Sequence, residues 1–371
     1  MRILADENIP YSAEIFGKFG DLVKADGRHM PESELRKADA LIIRSITRVN
    51  SDLLDLAPNL KFVGTCTIGT DHVDIPELAR RGIGFSSAPG CNRISVGEYI
   101  MSVLAVLSMR LRRPLRGMTL GIVGGGNTGS AVYDKAKAIG MEPVICDPPL
   151  SSRNDGRKYV SFDEALSMDA VTFHVPLIRE GELRTYHMLE GERLMGLAKG
   201  KILINASRGA VIPAEELIEK QCSGSPLHLV LDTWENEPAV SRELAGFCDL
   251  TTPHIAGYSL DGKARGTEMI GRAFMKFFGI QGEAPKAPLP EPAFSNITLG
   301  REPDENDWLR LMLLVYDVRR DSDRFMREYT GGASFDHMRK TYLERREWSS
   351  LRVSPFSETA KALGFACGEE K

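Results

Sequence analysis

Cysteine is scarce in this chain, with six in 371 residues at Cys66, Cys91, Cys146, Cys222, Cys248 and Cys367. They are scattered and form no CxxC pair, which excludes a disulfide framework and a thiolate-rich metal site. No run of 18 apolar residues occurs, and the opening MRILADENIP has no apolar leader segment, so neither a membrane span nor a secretion signal is expected. Charge of one sign is also lacking: 47 Lys and Arg stand against 51 Asp and Glu, a net charge of -4. Such a balance excludes a basic nucleic-acid binder and a disordered acidic tail. The histidines and acids show none of the spacings that zinc or calcium sites use, so no metal is expected. These absences leave a reduced, cytoplasmic, enzyme-sized protein whose partner is a small molecule.

What is present is an ordinary globular composition, 42% apolar and 26% charged, on a chain long enough for two or three domains. Short apolar runs alternate with longer mixed segments. RILAD, DALIIRS (39–45), KFVGT (61–65) and IGFSS read as the strands of a first parallel α/β unit. The segment 94–109 reads as a buried helix crossing between domains. Six more strands follow, LGIVG (120–124), EPVICD (142–147), AVTFHV (170–175), KILINAS (201–207), LHLVLDT (227–233) and DLTTPHIAG (249–257), enough for a complete doubly wound domain. The segment 261–279 reads as a helix returning to the first domain, and EAPKAPLPEP (283–292) as a stiff linker. The expected architecture is two doubly wound, Rossmann-like parallel-sheet domains, residues 1–93 with 258–282 and residues 94–257, followed by a C-terminal α+β domain over 283–371.

Gly124, Gly126 and Gly129 form GxGxxG directly after a predicted strand and at the start of a predicted helix. In that context the first glycine permits the tight turn, the second lets backbone approach a pyrophosphate, and the third lets helix and sheet pack closely. Asp147 lies 18 residues after Gly129, at the end of the next strand. There its carboxylate can accept from the ribose hydroxyls of NAD and would repel the 2'-phosphate of NADP. The expected cofactor is therefore NAD.

Three polar residues fall at the ends of later strands, where ligands bind in open α/β sheets. Arg208 in NASRGAV can grip a carboxylate in a planar fork, His254 in TTPHIAG can take a hydroxyl proton, and Glu237 in WENEP can orient that imidazole. The set suits hydride transfer at a hydroxyl-bearing carbon next to a carboxylate. The other histidines considered, His72, His174, His228 and His337, read as structural. Cys66 and Cys91 read as inert thiols, since no histidine base or basic cluster adjoins them.

The motifs GIVGGGNTG, NASRGAV, DTWENEP and TTPHIAG, in that order, resemble the D-isomer-specific 2-hydroxyacid dehydrogenases over roughly residues 1–280. The resemblance implies that Arg208, Glu237 and His254 are the catalytic set. It implies cofactor contacts at Gly124, Gly126, Asn127, Thr128, Gly129, Asp147, Val175, Ala206, Ser207, Arg208, Asp232 and Gly257. Asp232 would meet the nicotinamide carboxamide, and Val175 would offer only its backbone. Substrate contacts are implied at Ser45, Thr67 and Tyr258. The stretches KFVGTCTIGTDHVD, SAPGCN, HIAGYSLDGKARGT and the C-terminal LVYDVRRD and YLERREWSSL sharpen the resemblance to members that oxidise 4-phospho-D-erythronate in vitamin B6 biosynthesis. A phosphorylated acid carries two anions and needs two cationic holds, so Arg44 is a candidate for the phosphate.

The same resemblance implies a homodimer built by the segment after Pro292. In YLERREWSSL, Arg345 and Arg346 stand beside the aromatics Tyr342 and Trp348, which suggests interface anchors and a cation lent to the partner's site. On that reading a chain cut after Gly282 is monomeric and still binds NAD. Two alternatives stay open: another 2-hydroxyacid dehydrogenase such as a phosphoglycerate dehydrogenase, and a non-catalytic dinucleotide-sensing protein.

Overall fold

The structure, a computed structural model, describes residues 1–153 and 155–368. These fall into two compact units, one made of Met1–Asn92 with Ser259–Glu291, the other of Arg93–Tyr258 with the described residues from Pro292 onward.

In the first unit, strands β1 (Arg2–Asp6), β2 (Asp21–Ala25), β3 (Ala40–Ile43), β4 (Phe62–Thr65) and β5 (Gly84–Ser86) form one parallel sheet in the order β2-β1-β3-β4-β5. The central β3 and β4 are buried along their whole length, because helices cover both faces of such a sheet. The strand missed in the sequence is β2, whose DLVKA mixes charge with apolar residues; it lies at the sheet edge and is mostly part-exposed. The late helix Leu260–Phe278 belongs to this unit and drives Phe274 against Phe16 and Phe62, with ring centres 5.7 and 5.8 Å away.

The second unit holds β6 (Thr119–Val123), β7 (Glu142–Cys146), β8 (Ala170–Phe173), β9 (Ile202–Asn205), β10 (His228–Leu231) and β11 (Leu250–Thr251). All six expected strands pair in parallel in the order β11-β10-β9-β8-β6-β7, so the winding reverses between β6 and β8. Helix Arg93–Leu111 is long and apolar enough to cross a membrane by composition, with a mean hydropathy of 1.5, yet 78% of that stretch is buried inside the protein. Its apolar surface is the core of this unit.

The tail has the expected α+β content but no core of its own. It contributes helices Glu305–Val315, Val318–Glu328, Gly332–Lys340 and Glu358–Leu363 and a small parallel sheet of β12 (Asn296–Thr298), β13 (Arg352–Ser354) and β14 (Ala366–Cys367). Its Trp308, Met312, Tyr316, Trp348 and Leu363 lie in the same hydrophobic cluster as Tyr99, Leu104 and Val132 of the nucleotide-fold half. Helices Glu305–Val315 and Val318–Glu328 are separated by a break at Tyr316 and Asp317. There Ser102 donates to the Tyr316 carbonyl at 2.9 Å and accepts from the Val318 N–H at 3.0 Å, satisfying both groups that the break exposes. Trp348 is 0% exposed, stacks on Phe365 at 5.2 Å, and lies under the Lys135 ammonium at 4.5 Å. It therefore anchors the tail to its own chain and not to a partner.

Two outcomes follow from that shared core. Trp348→Ala should destabilise the fold by about 3–5 kcal/mol, measured by urea unfolding of the unit that carries the glycine loop. A chain cut after Gly282 should lose NAD binding together with its tail, because its remaining half exposes the cluster around Tyr99; retention of NAD affinity in a titration would contradict this.

Candidate active site

The glycine loop is built as a cradle. Gly124 takes φ 97°, and a Cβ there would lie 2.5 Å from the His174 carbonyl oxygen, so only glycine lets β6 turn beside β8. A Cβ on Gly129 would lie 1.9 Å from the Gly124 carbonyl oxygen, which sets how closely helix Asn127–Ala138 meets the sheet. Gly126, the N-cap of that helix, carries no capping side chain and faces open space. The first-turn N–H groups, including those of Asn127 and Thr128, are thus presented to an incoming anion. Asp147 is tied into the same loop by accepting from Gly125 N–H at 2.8 Å. Beside it a cavity of about 470 Å³ is lined by Gly124, Asp147, Pro148, Val175 and Pro176 among others. An uncapped helix start, an open glycine, a positioned carboxylate and an adjoining apolar cavity fit the pyrophosphate, ribose and base of a dinucleotide.

Past the ends of β9, β10 and β11 the structure brings the three expected polar residues onto neighbouring loops. His254 Nδ1 lies 2.7 Å from Glu237 Oε2, and the other oxygen of Glu237 accepts from Trp234 N–H at 3.0 Å. Burial would push the Glu237 carboxyl up, but the His254 charge and hydrogen bond, the Trp234 N–H and Arg339 together hold it below its ordinary value. Arg208 follows β9 in a loop knotted by Asn205, which accepts from Ser207 N–H and hydroxyl and donates to the Arg208 carbonyl. A Cβ on Gly209 would lie 1.8 Å from the Trp234 carbonyl carbon, so this glycine is what lets the arginine loop approach the glutamate loop.

His254 sits at φ 55°, a left-handed backbone that non-glycine residues seldom adopt. Asp232 holds it there: its carboxylate accepts from Thr252 Oγ1 at 2.6 Å, Ile255 N–H at 2.7 Å and Ala256 N–H at 3.0 Å. Burial pushes that carboxyl up, with the His254 charge and the three donors pulling it back. Shaping the histidine loop is a use of Asp232 that sequence reading did not supply. Ala206, Ser207 and Gly257 lie on the same rim of strand ends, with Ser207 buried.

Arg345 does not face a partner. It is 3% exposed and spends its guanidinium on carbonyls of its own chain, Ala256 at 2.6 Å, Tyr258 at 2.7 Å and Ser95 at 3.1 Å, while lying over the Tyr316 ring at 3.7 Å. The expectation that it reaches a substrate in another subunit is therefore overturned. Arg346 beside it is half-buried. Tyr342 also turns inward, donating to Asp321 at 2.7 Å. In the first unit, Arg44 is forked onto Asp6 at the end of β1, with Nε and Nη2 at 3.0 and 3.2 Å from its two oxygens. Asp6 was missed; its only signal was an acid ending the first strand. Ser45 follows Arg44, and Thr67 shares a hydrogen bond with Thr65 at 2.7 Å. The Cys66 thiol is raised well above its ordinary value by burial, which keeps it protonated.

Fold and cradle together define an NAD-dependent dehydrogenase. The family model for the NAD-binding domain of D-isomer-specific 2-hydroxyacid dehydrogenases matches residues 105–256, and a domain of unknown function matches residues 288–364. An erythronate-4-phosphate dehydrogenase of Tolumonas auensis is 49% identical over 95% of both chains, and one of Aeromonas hydrophila is 46% identical over 99% of both. Among solved structures, the D-lactate dehydrogenase of Aquifex aeolicus, complexed with NAD and lactic acid, superposes with a TM-score of 0.63 at 27% identity, covering 75% of this chain and 96% of that one. The 3-phosphoglycerate dehydrogenase of Entamoeba histolytica shares the fold at 22% identity, with a TM-score of 0.64 over 75% and 95% of the two chains. The chain belongs to the D-isomer-specific 2-hydroxyacid dehydrogenases and, within them, to the erythronate-4-phosphate dehydrogenase family.

His174, at the end of β8, has its pKa pushed down to about 3 by burial, so it is neutral in the folded protein. Its Nε2 meets Thr172 at 2.9 Å and its Nδ1 is buried without a partner. The unfolded chain takes up a proton near pH 6.5 that the native state refuses, so this residue costs stability as pH falls from there towards the folded value. Acidification from pH 7 to pH 5 should remove about 2 kcal/mol that a His174→Gln variant retains, read from paired urea melts.

Proposed function

We propose that the chain oxidises 4-phospho-D-erythronate to 3-hydroxy-2-oxo-4-phosphooxybutanoate in vitamin B6 biosynthesis. The observation that carries this reading is the His254–Glu237 pair at 2.7 Å, beside the arginine loop and in the same unit as a dinucleotide cradle. Full-length relatives that bear the erythronate-4-phosphate dehydrogenase name supply the substrate. NAD, when bound, accepts the hydride. Arg208 grips the substrate carboxylate next to the reacting carbon, and His254 takes the hydroxyl proton on its free ring nitrogen. Glu237, kept ionised, fixes the ring through Nδ1 and stabilises the imidazolium that results.

Gly124, Gly126, Asn127, Thr128 and Gly129 hold the pyrophosphate, and Asp147 takes the ribose hydroxyls. Val175, Ala206, Ser207, Arg208, Asp232 and Gly257 complete the cofactor's surroundings. Tyr258 contacts substrate, and Arg44, Ser45, Thr67 and Arg346 are further candidates. The protein works in the cytoplasm as a homodimer joined through the tail, which exposes Phe294, Leu314, Met326 and Leu343.

Turnover of 4-phospho-D-erythronate with NAD and a keto-acid acceptor is the direct assay, and equal or better turnover of 3-phosphoglycerate would refute the substrate. His254→Ala should lower kcat by ~10²-fold or more with NAD affinity little changed. Because the Asp147 side chain lies where a 2'-phosphate would come, kcat/KM with NAD should exceed that with NADP, and parity between them would show that this residue does not choose the cofactor.

A further inference from the structure

The tail brings to the site an arginine that sequence reading passed over. Helix Gly332–Lys340 is docked on the loop that carries Glu237. A Cβ on Gly332 would lie 3.1 Å from Pro238, Tyr329 OH accepts from Val240 N–H at 2.6 Å and donates to the Val240 carbonyl at 3.1 Å, and Arg242 donates to the Tyr329 carbonyl at 2.8 Å. At the far end of that helix, Arg339 places its guanidinium carbon 5.7 Å from the centre of the Tyr258 ring and 5.9 Å from that of Phe335. Arg339 Nε is buried and has no hydrogen-bond partner. Its positive charge is felt at Glu237, which it helps to keep ionised.

Arg44 is forked onto Asp6, which matches its charge, and Arg345, 3% exposed, is held through Nε and Nη2 by three backbone carbonyls, with its Nη1 buried without a partner. Arg208 stands past β9, where the reacting end of the substrate needs it. A phosphate dianion is held best by several charge-assisted donors, and a buried guanidinium with an unused N–H is such a donor.

We infer that Arg339, lent by the tail of the same chain, binds the phosphate end of the substrate beside Tyr258 and thereby sets the preference for phosphorylated over plain hydroxy acids. This rests on the reading that the site takes a phosphorylated 2-hydroxy acid. It also assigns the tail a task in its own active site, separate from any role in dimer formation.

The test compares 4-phospho-D-erythronate with D-erythronate, by calorimetric titration into the full-length enzyme loaded with NADH and by steady-state kinetics with NAD. Arg339→Met should weaken binding of the phosphorylated acid by about tenfold or more and raise its KM alike, as expected for losing a hydrogen bond to a charged group. Binding of D-erythronate should change less than about twofold, on the principle that it never used the lost donor. NADH affinity and melting temperature should stay at wild-type values, and Arg339→Lys should recover part of the loss, since it keeps the charge without the fork. Unchanged affinity for the phosphorylated acid in both variants, or an equal loss for both acids, would overturn the assignment. If the wild type binds the phosphorylated acid without oxidising it, the proposed reaction fails while the binding comparison still decides Arg339. If it binds neither acid, both readings fall.

Discussion

The left-handed backbone of His254 is the constraint around which the second unit is arranged. Such a conformation costs on the order of 1–3 kcal/mol and persists only where its surroundings over-determine it. Here the determination comes from both sides of the chain. Asp232 collects the N–H groups of the two residues that follow the histidine, and Arg345 collects the carbonyls of Ala256 and Tyr258. Between them, the N–H groups of Ile255 and Ala256 and the carbonyls of Ala256 and Tyr258 are held, and the imidazole meets Glu237 at 2.7 Å. The buried carboxylate and the buried guanidinium are each tolerable because each is met by fixed backbone partners.

That arrangement changes what the C-terminal segment is. It contributes Trp308, Tyr316 and Trp348 to the core of helix Arg93–Leu111, Tyr329 to the glutamate loop, and Arg345 to the histidine loop. A tail of this kind is part of the framework of the second unit, and its Arg345 is spent within its own chain. The glycines make the complementary contribution by absence of volume. Gly124 and Gly129 bring strand, turn and helix together around the cradle, and Gly209 lets two loops touch where any Cβ would hold them apart.

Much of this could be read from the chain before any coordinates. The six strands of the second sheet, the glycine signature, Asp147 and the order of Arg208, Glu237 and His254 are carried by local patterns, since apolar runs, turn residues and motif spacing are properties of neighbouring residues. Less local features were misread. β2 escapes sequence reading because an edge strand keeps half its residues polar, and the break between helices Glu305–Val315 and Val318–Glu328 is satisfied by the Ser102 hydroxyl, more than two hundred residues away in sequence. Arg345 and Trp348 looked like interface residues because a short window shows residue type but not which side faces inward.

The sequence by itself determined the parallel sheets, the dinucleotide cradle and the identity of the three polar groups past β9, β10 and β11. Tertiary structure alone decided the fates of the arginines: Arg44 matched by Asp6, Arg345 buried and pinned by backbone carbonyls, and Arg339 placed with a buried Nε–H beside Tyr258. The physical reason is that a guanidinium's worth depends on what it already holds. Its partners come from distant parts of the chain, brought together only by burial of the core they share.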